Sequence, residues 1–129
     1  MNKKLKRVLS VDDDEDIRTI ISMALEIGGY EVRTCSSGEQ AVDSSIAFKP
    51  DLILLDVMMP GLDGPETLKK LLSTPETSKI PIVFMTAKSQ SFEIVELKQM
   101  GAFDAITKPF DPMTLPKLIN DIWERYTKT

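Results

Sequence analysis

Asp51-Leu52-Ile53-Leu54-Leu55-Asp56 sets four apolar residues in a row between two acids. A strand with one wet face alternates polar and apolar residues. A short unbroken apolar run instead marks a strand covered on both faces, as in a parallel sheet. Ile80–Met85 reads the same way. Parallel neighbours need a crossover between them, usually a helix, and helical patterns do flank these runs. Gly38–Phe48 carries Ala41, Val42 and Ile46 at inward positions, with Pro50 closing it. Beyond Asp56, Pro60-Gly61 and Asp63-Gly64 mark a loop, and Pro65 suits the first position of a third helix.

The same alternation extends to both ends of the chain. Val8–Val11 is a short β-prone run that stops abruptly in acids, and Ile17, Ile20, Ile21, Ala24 and Leu25 recur at helical spacing until Gly28-Gly29. Glu31–Thr34 reads as a second strand, Gln90–Met100 as a fourth helix capped by Gly101, and Phe103–Thr107 as a fifth strand. The last helix shows Leu115, Leu118, Ile119, Ile122, Trp123 and Tyr126 on one stripe. Pro116 has no N–H to give the Pro112 carbonyl, so the regular part starts near Thr114, with Pro116 in the first turn. Strands alternating with helices predict an α/β fold with a mostly parallel sheet and helices on both faces, and the spacing alone leaves the strand order open. A chain of 129 residues with 42% hydrophobic letters suits one core and not two. We expect a single domain over 1–129, with no output domain after the last helix. Met1 favours a true N-terminus, whereas nothing marks Thr129 as a natural end.

Composition removes several classes of function. There is no histidine, which excludes His-dependent triads, the usual zinc sites of enzymes and a phosphohistidine donor. Cys35 stands alone, so there is neither an internal disulfide nor a thiolate cage, and a reducing compartment fits. The longest apolar runs span four residues, against the ~20 needed to cross a bilayer. Lys3, Lys4, Lys6 and Arg7 resemble the start of a signal peptide, but the apolar stretch after them ends at Asp12. The chain is therefore read as cytoplasmic, with no membrane partner. A net charge of −4, from 16 basic and 20 acidic residues, argues against direct nucleic-acid binding. No Gly-x-x-x-x-Gly-Lys-Ser/Thr loop is present for a nucleotide.

In open parallel sheets, sites form beyond the carboxyl ends of the strands. Asp12 and Asp13 follow the first strand, Asp56 ends the third, Thr86 follows the fourth and Lys108 the fifth. Each has a bland explanation. Asp14, Glu15 and Asp16 are read as acids favouring the positive end of a helix dipole. Asp56 alone would pass as a turn acid, Thr86 as a helix cap, and Lys108 as a solvated lysine before a proline. Their joint placement outweighs these explanations. Three neighbouring carboxylates repel one another, so one pKa should rise, and a divalent cation would remove that cost. An all-oxygen set favours Mg²⁺ or Mn²⁺ over zinc. Mg²⁺ is commonly completed by phosphate oxygens, so the edge reads as built for a phosphoryl group whose charge Lys108 and the metal share.

Val11-Asp12-Asp13-Asp14, the run from Leu54 to Gly64, Met85-Thr86-Ala87, and Gly101-Ala102 with Thr107-Lys108-Pro109-Phe110 make the chain resemble the bacterial response-regulator receiver domain over essentially its whole length. The resemblance implies a flavodoxin-like (βα)5 fold with strand order 2-1-3-4-5. It also implies that Asp56 is the phosphoacceptor, fed by a sensor histidine kinase, a histidine phosphotransfer protein or a small acyl phosphate. Asp13, Asp56 and the Met58 carbonyl would bind Mg²⁺ directly, and Asp12 would act through water. Lys108 and Thr86 would hold the phosphoryl oxygens. Such a domain switches a surface for a downstream protein and turns over no external substrate. Its own chemistry is limited to self-phosphorylation and slow self-dephosphorylation.

The chain departs from the pattern in places. Many receivers carry Tyr or Phe three residues before the strand-five lysine, where Ala105 stands here. Phe103, two residues earlier, is expected on the same strand face, too far along the strand to take over that space. The output is therefore expected to lack the usual ring movement, and Pro116, near the same surface, argues against generic dimerisation there. Met58 and Lys88 flank the expected approach of hydrolytic water and carry no group to orient it. The competing reading is a phosphorylation-independent interaction module, against which the complete set Asp12, Asp13, Asp56, Thr86 and Lys108 argues. A Mg²⁺-dependent phosphatase with an aspartyl nucleophile would want an acid where Met58 stands.

Overall fold

The computed structural model describes residues 3–87 and 91–128. Five strands alternate with five helices: β1 (Arg7–Val11), α1 (Glu15–Ile27), β2 (Glu31–Cys35), α2 (Gly38–Phe48), β3 (Leu52–Asp56), α3 (Gly64–Ser73), β4 (Ile82–Thr86), α4 (Ser91–Gln99), β5 (Asp104–Thr107) and α5 (Leu115–Thr127). All strand pairs are parallel, in the order β2-β1-β3-β4-β5. The chain winds one way from β1 to β2 and the other way from β3 onward. The crevice at the carboxyl ends of β1 and β3 is thus the topological switch point, where open α/β sheets hold their ligands.

The doubly apolar strands are explained by what covers them. Every residue of β3 and β4 is buried. Leu9, Val11, Ile53, Leu55, Ile82 and Phe84 join one core with Ala41 and Phe48 of α2, Leu68 and Leu71 of α3, and Leu97 of α4. Val8, Leu52, Leu54, Val83 and Met85 join the other with Ile21 and Leu25 of α1 and Leu115, Ile119, Ile122 and Trp123 of α5. Each strand thus alternates between two apolar layers, since successive side chains point to opposite faces. Burying each such side chain contributes ~1.5–3 kcal/mol relative to leaving it exposed.

Local signals set the helix ends. Asp14 caps α1, its carboxylate accepting the Asp16 and Ile17 amides, with Glu15 and Asp16 in the first turn. Asp63 and Glu66 form a reciprocal capping box on α3. That box starts the helix at Gly64, one residue before the position expected from Pro65. Pro116 falls in the first turn of α5 as expected.

Other expectations shift. On α2 the buried stripe is Gly38, Ala41, Ser45 and Phe48; Ile46 is only half-buried, because the polar Ser45 takes the inward position. Leu118 is 39% exposed, at the rim of the α5 stripe. Phe103 does not share a face with Ala105. β5 begins at Asp104, so strand alternation does not reach back to Phe103. Its ring packs on the α1–α5 side, edge-on to Tyr126 at 5.3 Å, while Ala105 packs on the opposite layer. The expected fourth-helix start at Gln90 lies outside the described residues, as does Lys88.

Candidate functional site

The sheet brings the singled-out residues to one edge. β1 and β3 are in register with Val11 opposite Leu55, so Asp12 and Asp56 leave the sheet side by side. Asp56 pairs with Met85, which puts Thr86 on the neighbouring strand end. The Lys108 amide donates to the Thr86 carbonyl at 2.7 Å, joining the ends of β4 and β5. The chain turns sharply after Asp56, and the Gly64 amide returns to the Val57 carbonyl at 2.9 Å. A Cβ on Gly64 would stand 2.5 Å from the Asp56 carbonyl oxygen, so this close approach needs glycine.

Asp12 and Asp56 are 2% and 7% exposed, whereas Asp13 is open to solvent. One carboxylate oxygen from each of the three lies within 4.8 Å of the other two. Lys108 Nζ reaches Asp56 Oδ1 at 3.0 Å and Asp12 Oδ2 at 3.2 Å. Burial pushes the Asp56 carboxyl above the usual carboxylate range; Lys108 pulls it back, and the charges of Asp12 and Asp13 push it up again, leaving it raised. Burial alone would lower the Lys108 ammonium, but Asp56 and Asp12 outweigh it and hold it above its usual value. Thus Asp12 and Asp56 share one ammonium while Asp13 adds a third negative charge beside them, and the expected upward shift of one carboxyl falls on Asp56. The donors are all hard oxygens, and the excess negative charge is what a divalent cation relieves. The residues therefore fit a hard cation. Thr86 is buried beside this cluster, and the Met58 side chain is 74% exposed on the loop beyond it.

Two polar residues, one at this edge and one away from it, carry no clear signal in the sequence. Arg18 of α1 donates from Nη1 to the Asp12 carbonyl at 2.8 Å. Its only sequence signal is a cation one turn into an acid-rich helix start. At the opposite end of the sheet, Asp51 is buried and accepts the Lys6 and Arg7 amides at 3.0 and 2.9 Å while pairing with Lys3 at 2.7 Å. Nothing local distinguishes it from a strand-edge acid.

With this geometry in place, the chain falls into a known class. Residues 8–120 match the model of the response regulator receiver domain, and the chain belongs to that family. It is 43% identical over 125 residues to the alkaline phosphatase synthesis transcriptional regulatory protein PhoP of Bacillus subtilis, covering 97% of this chain and 50% of PhoP. It is 37% identical over 118 residues to protein PilH of Pseudomonas aeruginosa, covering 92% of this chain and 98% of PilH. The solved chemotaxis response regulator CheY4 of Vibrio cholerae superposes with a TM-score of 0.85 at 33% identity, covering 92% of this chain and 99% of CheY4. The chain spans about half the length of PhoP and of the other transcriptional regulators it matches. Receiver domains are signalling modules rather than turnover enzymes, and they work with histidine kinases or phosphotransfer proteins. Among the described residues no helix is long and apolar enough to cross a membrane.

Proposed function

We propose that residues 1–129 form a cytoplasmic receiver domain that takes a phosphoryl group onto Asp56 from a phosphohistidine of a sensor kinase or phosphotransfer protein. An Asp56 carboxylate oxygen attacks phosphorus, the bond to the histidine nitrogen breaks, and an aspartyl phosphate forms while the neutralised histidine departs. Lys108, already against Asp56 Oδ1, meets the incoming phosphoryl charge, and Thr86 donates its hydroxyl to a phosphoryl oxygen. Such transfer depends mostly on positioning and charge neutralisation. Asp13, Asp56 and the Met58 carbonyl would hold Mg²⁺, with Asp12 acting through water; bound there, Mg²⁺ supplies positive charge to the phosphoryl oxygens. The switch then presents an altered surface to a downstream protein.

The observation that carries this reading is the convergence of three carboxylates and the Lys108 ammonium at the switch point of the sheet. Titration with beryllofluoride and Mg²⁺, followed by amide NMR, tests it. Shifts spreading from Asp56, absent in Asp56→Asn, are expected. An unresponsive wild-type spectrum would favour a module that keeps the fold without the switch. Self-dephosphorylation should be slow to moderate, because the Met58 side chain has nothing to orient water. Met58→Asn is expected to speed it severalfold, and an unchanged decay of the phosphoprotein would count against that role.

A further inference from the structure

Asp12 is tied at every polar group. Its amide donates to the Cys35 carbonyl at 3.1 Å, its Oδ1 accepts the Asp14 amide at 2.9 Å, and its Oδ2 accepts Lys108. Its carbonyl, part of the peptide that joins Asp12 to Asp13, accepts Arg18 Nη1 at 2.8 Å. Asp13, by contrast, is exposed and has no side-chain hydrogen bond or ion pair among the described residues. Its place in the acid cluster is therefore set by its backbone, and one plane of that backbone is held by Arg18.

The choice of partner is informative. Arg18 is half-buried, forms no ion pair among the described residues, and directs its guanidinium to the Asp12 carbonyl. A guanidinium is a charged, planar donor, so its bond to a carbonyl is strong and directional. The Asp13 carboxylate is left without a partner among the described residues, and Arg18 is anchored in α1, where its backbone amide donates to the Asp14 carbonyl at 3.0 Å. The first turn of the helix and the turn carrying two of the three acids are thereby locked together.

We infer that Arg18 is a positioning residue for the divalent cation: it orients the Asp12–Asp13 peptide so that the Asp13 carboxylate completes the cluster. This rests on the reading of the cluster as a metal site. Mg²⁺ accepts little departure from octahedral geometry, so the angle of this peptide governs affinity. The sign of the effect separates this role from simple charge. Deleting a cation beside a cation site should, by Coulomb's law alone, tighten the binding of Mg²⁺. Loss of positioning weakens it.

The test measures Mg²⁺ affinity by calorimetry at fixed ionic strength for wild type, Arg18→Ala and Arg18→Lys, with melting in EDTA as the check of folding. Arg18→Ala is expected to weaken Mg²⁺ about tenfold, the equivalent of one charge-assisted hydrogen bond. Arg18→Lys keeps the charge but not the planar fork, and should fall about threefold below wild type. Should Arg18→Ala fail to fold, Arg18→Lys decides alone. Affinity equal to or tighter than wild type in the folded variants overturns the role of Arg18 while leaving the metal site standing. A wild-type protein that binds no Mg²⁺ overturns both.

Discussion

Ser45 and Asp51 show how differently two buried polar residues behave. Ser45 lies in the core face of α2, and its hydroxyl has no hydrogen-bond partner among the described residues. Burying an unpaired hydroxyl costs ~1–3 kcal/mol, so Ser45→Ala should raise stability by about 1–2 kcal/mol in chemical denaturation; a destabilised variant would show that the hydroxyl has a partner. Asp51 is satisfied several times over. Burial pushes its carboxyl up, but Lys3 and the Arg7 and Lys6 amides together hold it below its usual value. A lowered carboxyl adds stability that is complete above its unfolded pKa, ~3.9, and is lost as pH falls through the lower native value. The gap in stability between wild type and Asp51→Asn should therefore be about 2 kcal/mol at neutral pH and close below pH ~3.9. A gap that stays constant down to pH 2 would contradict this. Neither residue was legible in the sequence. Asp51 meets amides 44 and 45 residues away, and the inward face of α2 depended on whether Ser45 or Ile46 filled it.

At the scale of elements much more was legible, because period and caps are local. The doubly apolar runs of β3 and β4 required cover on both sides, and two cores provide it. Turn chemistry located α3 to within a residue. The capping box makes a specific demand: Asp63→Ala removes the bond to the Glu66 amide at 2.9 Å and should cost about 1 kcal/mol. It should also raise hydrogen exchange in the first turn of α3, and unaltered exchange there would mean the cap is dispensable. Phe103 marks the limit of this reasoning. Alternation placed it beside Ala105, but the strand starts one residue later and the ring instead meets Tyr126 of α5. The empty aromatic position at Ala105 therefore has no substitute on its own face from Phe103. Arg18 was missed for a related reason, since its partner is a backbone carbonyl that no residue pattern announces.

For the whole molecule, strand order could not be read from periodicity and entered only with the family resemblance, yet it is what brings Asp12 and Asp56 together at a switch point. The chemistry then follows from charge. Three acids and one ammonium leave an imbalance, and the raised Asp56 carboxyl records it. A divalent cation and a phosphoryl group jointly answer that imbalance. The most direct test incubates the protein with acetyl phosphate with and without Mg²⁺, traps any acyl phosphate by hydride reduction, and maps the product by mass spectrometry. The account predicts homoserine at position 56 alone, formed with Mg²⁺ and lost in EDTA. Label at another residue, or equal labelling of Asp56 without the metal, would contradict it.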